Sequence, residues 1–125
     1  AAFAARRAAP GERASLAELN GRMVATGRSG DLEGFLRLDV EFHRRILEMS
    51  GNEMFAGLTG VVSEVLAGRT EYDLMPSPPR PEALRLHTHV AEAISGGLAD
   101  VARAAMRAIV DEVVAALEDE TAGDA

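Results

Sequence analysis

An all-helical bundle is the fold class this sequence predicts, on three observations. Alanine, leucine and arginine, all good helix formers, are plentiful, whereas aromatic residues make up only 4% of the chain. β-branched residues never gather into the alternating runs that mark strands. Apolar residues instead recur at three- and four-residue spacing along most of the length, which is the period of a helix. With 125 residues, 47% of them hydrophobic, the chain reads as one domain that buries roughly two-thirds of the surface its unfolded form exposes.

Taken in order, Ala1 to Ala8 reads as the end of a helix that starts without a methionine or a cap, as expected of a piece cut from a longer chain. Pro10 and Gly11 break the pattern. Ser15-Leu-Ala-Glu18 has the form of a capping box, for a second helix over about residues 11 to 28 that ends at Gly27 and Gly30. Asp31 can cap a third helix ending near Ser50-Gly51, and Asn52 a fourth that runs to about Tyr72 and is weakened by Gly57, Gly60 and Gly68. Pro76, Pro78, Pro79 and Pro81 make Asp73 to Pro81 a connecting loop. A fifth helix, Glu82 to Ser95, stops at Gly96-Gly97, and a sixth runs from about Leu98 to Glu118 into an acidic, alanine-rich tail.

Composition excludes several function classes. A formal net charge of −7 argues against direct binding to a phosphate backbone, which needs a cationic face to release counterions. With no cysteine there is neither a disulfide nor a thiolate metal site. No apolar run approaches the roughly 18 residues that cross a bilayer, so no membrane contact is expected and a cytoplasmic location is the default.

The most informative stretch is Asp39-Val-Glu-Phe-His43. Leu32, Phe35, Leu36, Phe42, Ile46, Leu47 and Met49 outline the apolar face of the third helix, and Asp39 and His43 share it. A carboxylate and an imidazole in a core cost several kcal/mol unless each finds a partner, either a structural hydrogen bond or a ligand. His87 repeats the anomaly on the fifth helix, within the stripe Leu84, Val90, Ala91 and Ile94, while His89 lies about 200° away at the flank. On the fourth helix Arg69 continues the stripe Phe55, Leu58, Val62 and Val65, and an inward guanidinium wants an anion, either an internal Asp or Glu or an acidic small molecule. Ala102, Ala105, Ile109, Val113 and Ala116 make the sixth helix's stripe purely apolar. Arg37, Glu41, Arg44 and Glu48 form a solvated charged face, and Met49 and Met54 read as core filler. Asp39, His43 and His87 together are a three-ligand set of N and O type with open positions, suited to zinc, iron, nickel or manganese.

Asp31-Leu-Glu-Gly-Phe-Leu, Asp39-Val-Glu-Phe-His43-Arg, Met49-Ser-Gly-Asn52 and His87-Thr-His-Val-Ala-Glu-Ala-Ile94-Ser-Gly-Gly together resemble the carboxy-terminal effector-binding domain of GntR-family bacterial transcription regulators, the FadR-type or FCD class. The resemblance spans nearly the whole chain. It implies an antiparallel bundle of six to seven helices around a central ligand pocket, a homodimer, and a preceding winged helix-turn-helix domain through which alone DNA is bound. In metal-containing members an aspartate and three histidines hold a divalent ion, zinc or nickel here, beside a carboxylate effector. Asp39, His43 and His87 match the first three ligands; Ile109 stands where the final histidine is expected, and Leu86 where an acidic residue often precedes the third.

The expected function is therefore that of a non-catalytic sensor of a small organic acid or related metabolite. Asp39, His43, Arg69, His87 and Ile109 would line its pocket, with Arg69 meeting the carboxylate and Ile109 shaping the wall. Two alternatives stand beside it: a helical metalloenzyme whose ion on Asp39, His43 and His87 activates water, and a ligand-free dimerisation module in which those three groups hydrogen-bond one another.

Overall fold

The computed structural model describes residues 1–71 and 79–123, and every regular element among them is an α-helix. They are α1 (Ala2–Arg7), α2 (Pro10–Ser29), α3 (Leu32–Met49), α4 (Glu53–Ala56), α5 (Thr59–Glu71), α6 (Pro81–Ser95) and α7 (Ala99–Gly123).

Local chemistry explains where these helices begin and end. α2 starts five residues ahead of the Ser15–Glu18 box: Pro10, whose missing N–H costs nothing in the first turn, opens it, and Glu12 Oε1 accepts the Ala9 N–H at 2.9 Å. Gly30, at φ 81°, ends it in the left-handed conformation that only glycine adopts cheaply. Asp31 caps α3 as expected, its Oδ1 accepting from Gly34 N at 3.0 Å, and a Cβ on Gly34 would collide with that carboxylate. Asn52 Oδ1 accepts from Met54 N and Phe55 N, but the helix it starts does not run on to Tyr72. It stops at Ala56, turns through Gly57 and Leu58, and resumes as α5. Tyr72 and most of the expected proline loop lie outside the described residues.

Core packing uses α2, α3, α6, α1 and the first half of α7. Leu16, Leu19, Met23, Phe35, Phe42, Val90 and Ile94 are almost fully enclosed, and Ala102, Ala105 and Ile109 seal the α7 side. Arg13 ties helix ends together, its guanidinium donating to the carbonyls of Ala5, Ala8 and Ser95 at 2.9–3.0 Å. Met54 departs from expectation: the break after α4 leaves it 81% exposed rather than in the core.

α4 and α5 contribute no buried residue among those described. α5 packs on α3 and scarcely touches α6 or α7. That separation opens a cavity of about 420 Å³ between α3, α5, α6 and α7.

Candidate functional site

α3 turns Phe35, Asp39, Phe42 and Ile46 toward the interior at helical spacing, so Asp39 stands where an apolar residue would otherwise pack and is only 4% exposed. From α6, His87 reaches the same point and is 5% exposed. Asp39 Oδ1 lies 3.2 Å from His43 Nε2 and 3.1 Å from His87 Nε2. Phe42 stacks at a tilt on His87, with ring centroids 5.2 Å apart, and meets His43 edge-on at 5.5 Å, so aromatic packing holds both imidazoles.

The orientation of His87 carries the chemistry. Its Nδ1 is 2.7 Å from the Ala83 carbonyl, and a carbonyl can only accept, so Nδ1 holds the proton. In a neutral ring the other nitrogen would then turn a lone pair toward the Asp39 carboxylate. Only positive charge makes that approach favourable, either a proton on Nε2 or a cation between the two groups. In the protein alone, burial favours the neutral ring, but the hydrogen bond to Asp39 and its charge outweigh this; aided by the Ala83 carbonyl and Glu112, they hold His87 above its ordinary value of 6.5. Burial likewise pushes Asp39 upward, and is overcome by the hydrogen bonds of His43 and His87 and by their charge, so its carboxyl falls well below the usual carboxylate range.

The same three groups are within range to hold a metal: one atom from each of Asp39, His43 and His87 falls within 4.8 Å of the others. An ion about 2.1 Å from its ligands keeps them roughly 3 to 3.5 Å apart, close to the spacing found between Asp39 and each imidazole. A histidine that binds a metal through Nε2 also commonly donates its Nδ1–H to a backbone carbonyl, as His87 does to Ala83. The donor set therefore fits a divalent ion.

The cluster opens onto the cavity, whose lining also includes Arg69, Arg80, Ile109 and Glu112. Arg69 Nε is shielded from solvent with no hydrogen-bond partner among the described residues. Arg80 Nη1 stands 3.9 Å from Glu112 Oε1.

Residues 1–112 match the family model of the FCD domain. The chain belongs to the FCD family. FCD domains are ligand-sensing regulatory domains of GntR-family regulators, and the resemblance carried by the Asp39 and His87 motifs agrees with this. No match was found among curated proteins.

Within this FCD domain the structure brings together all five residues singled out from the sequence, since Asp39, His43, Arg69, His87 and Ile109 all line one cavity. The Arg69 stripe is only partly kept, because the break at Gly57-Leu58 detaches Phe55, which packs on Phe3 with centroids 5.6 Å apart, and leaves Leu58 44% exposed. His89 is exposed, as expected. Two polar residues of the lining were missed. Glu112 lies one turn beyond Ile109, so i, i+3 spacing could have found it, whereas Arg80 immediately precedes α6 at the edge of a proline-rich stretch that carries no periodic signal.

Proposed function

We propose that this FCD domain senses a small organic acid bound in the cavity between α3, α5, α6 and α7, beside a zinc or nickel ion held by Asp39, His43 and His87. The observation that carries this reading is the His87 ring, its Nδ1 committed to the Ala83 carbonyl and its Nε2 aimed at a buried carboxylate beside a void. A bound ion would supply positive charge and open coordination positions for an acid oxygen. Arg69 offers a second cationic contact through an Nε that has no partner among the described residues. The chain's own contribution is to exclude water with apolar walls and to hold both imidazoles against Phe42. Occupancy would then bias a homodimer between arrangements that favour or disfavour operator binding by a DNA-binding domain elsewhere in the polypeptide.

Hydrogen bonds among Asp39, His43 and His87 are also what a ligand-free dimerisation module would contain. The void beside them and the Arg69 Nε left without a partner among the described residues favour the sensor. For a metalloenzyme the nearest acid in sequence is Glu41, and it is engaged by Arg44 and Arg45 on the charged face. The test is thermal unfolding of chelator-stripped protein with added zinc or nickel chloride, then with carboxylic acids. An ion present at a hundred times its dissociation constant adds about 2.7 kcal/mol of stability. That gain should vanish in His43→Ala and His87→Ala, and a shift surviving both substitutions would overturn the ligand assignment.

A further inference from the structure

We propose that the acid accepted by this cavity carries a sizeable apolar body, as a medium-chain or aryl-substituted monocarboxylic acid does, rather than a hydroxylated or multiply charged one. The proposal rests on the sensor reading above and specifies its ligand class.

Chemistry of the lining is the basis. No serine, threonine, asparagine, glutamine or tyrosine lines the cavity among the described residues. Its polar side chains are confined to Asp39, His43, His87, Arg69 and the Arg80–Glu112 pair, and the other side chains of the wall are aliphatic apart from the Phe35 ring and the Met106 thioether. A hydroxyl-rich acid would strand its hydroxyls against that wall, and each one left without a partner costs about tenfold in affinity. An apolar chain gains from the same surface. At the roughly 30 Å³ that a water-sized group occupies in a liquid, 420 Å³ has room for about 14 non-hydrogen atoms, well beyond what a carboxylate head alone requires.

The walls also explain an otherwise unfavourable surface. Val61 and Val65 of α5 are 63% and 58% exposed, and Val110 and Val114 of α7 are 55% and 48% exposed. All four line this cavity, on the two helices that scarcely touch each other. A ligand body lying between α5 and α7 would cover them, with its acid group directed to the Asp39 cluster and Arg69 by charge complementarity.

The experiment is calorimetric titration of the zinc-loaded protein with acetate, butyrate, hexanoate and octanoate, and with gluconate and citrate. Affinity should rise about fourfold per methylene along the alkanoate series, and octanoate should bind at least ten times more tightly than gluconate or citrate. Val65→Ser, at an exposed position that leaves the core intact, should lower octanoate affinity far more than acetate affinity and so flatten the series. A flat series with tight citrate or gluconate binding overturns the apolar-body proposal and leaves the sensor reading standing. Failure of every acid to bind overturns both. A flat series in a protein that sediments as a dimer, but as a monomer once Val65 is serine, assigns the valines to contact with a second copy and overturns the proposal.

Discussion

Replacing Asp39 by asparagine should reverse the sign of this domain's pH dependence. In the wild-type protein without metal, Asp39 raises His87 above 6.5. The stability this contributes is complete below the unfolded value of 6.5 and is lost as pH rises through the higher folded value. Asp39 has the opposite sense: its folded value is depressed, so its contribution is present above 3.8 and is lost only as the solution becomes strongly acidic. Between these limits the pair is fully charged, and stability should fall from pH 6 toward alkaline pH with a limiting slope of about 1.4 kcal/mol per unit. Asparagine keeps the shape but removes the charge, so burial, the largest influence on His87, is opposed only by the Ala83 carbonyl and Glu112 and favours the neutral ring. Stability should then rise with pH toward 6.5. The substitution replaces charge-assisted hydrogen bonds by neutral ones and should also cost about 1–3 kcal/mol at pH 6, and alanine, which leaves both imidazoles without that partner and opens a gap, should cost more. The assay is urea unfolding in excess chelator at half-unit pH steps. Slopes of the same sign in both proteins would refute the assignment of the proton to His87 and of its cause to Asp39.

Ile109→His would restore an imidazole to the α7 side of the cluster. Metal affinity, measured by chelator competition, should rise at least tenfold, while the metal-free variant should lose about 1–3 kcal/mol for a polar group placed at a buried site; unchanged affinity would mean that position 109 does not face the ion. Gly34→Ala should not stabilise α3 as an ordinary helical Gly→Ala does, because the new Cβ displaces the Asp31 cap. In thermal unfolding, Asp31→Ala should cost about 1 kcal/mol in the wild type and almost nothing in the Gly34→Ala background, a non-additivity that vanishes if the cap is unimportant.

Much of the site is legible in the amino-acid sequence. Helical spacing put Asp39 and His43 on the face of Phe35, Phe42 and Ile46, and His87 on that of Leu84, Val90 and Ile94. Each is a polar group in a run of buried positions, so a demand for a partner could be stated residue by residue. The caps at Asp31 and Asn52 were readable because a side-chain oxygen before a helical run satisfies orphan N–H groups whatever packs above it. Misses occurred where local pattern is ambiguous. Gly57 and Leu58 sit within a continuous apolar period yet break it, so Met54 ends in solvent rather than in the core. Spacing from Ile109 sets Glu112 beside the apolar stripe of α7, but only the neighbouring helix standing away opens that edge to the cavity.

The order of residues alone therefore determined the helical class, the inward stripe of each long helix and the presence of unsatisfied polar groups on two of them, since all three follow from a period of 3.6 and from the cost of burying charge. Only the tertiary structure decided that Asp39 and His87, 48 positions apart, meet at one oxygen. It also decided that the Ala83 carbonyl accepts a hydrogen bond from His87 Nδ1, and that among the described residues α5 leans chiefly on α3. These depend on the distance and angle between helices, which periodicity does not encode. A cavity is the space that such packing leaves, and no residue in the chain carries it by itself.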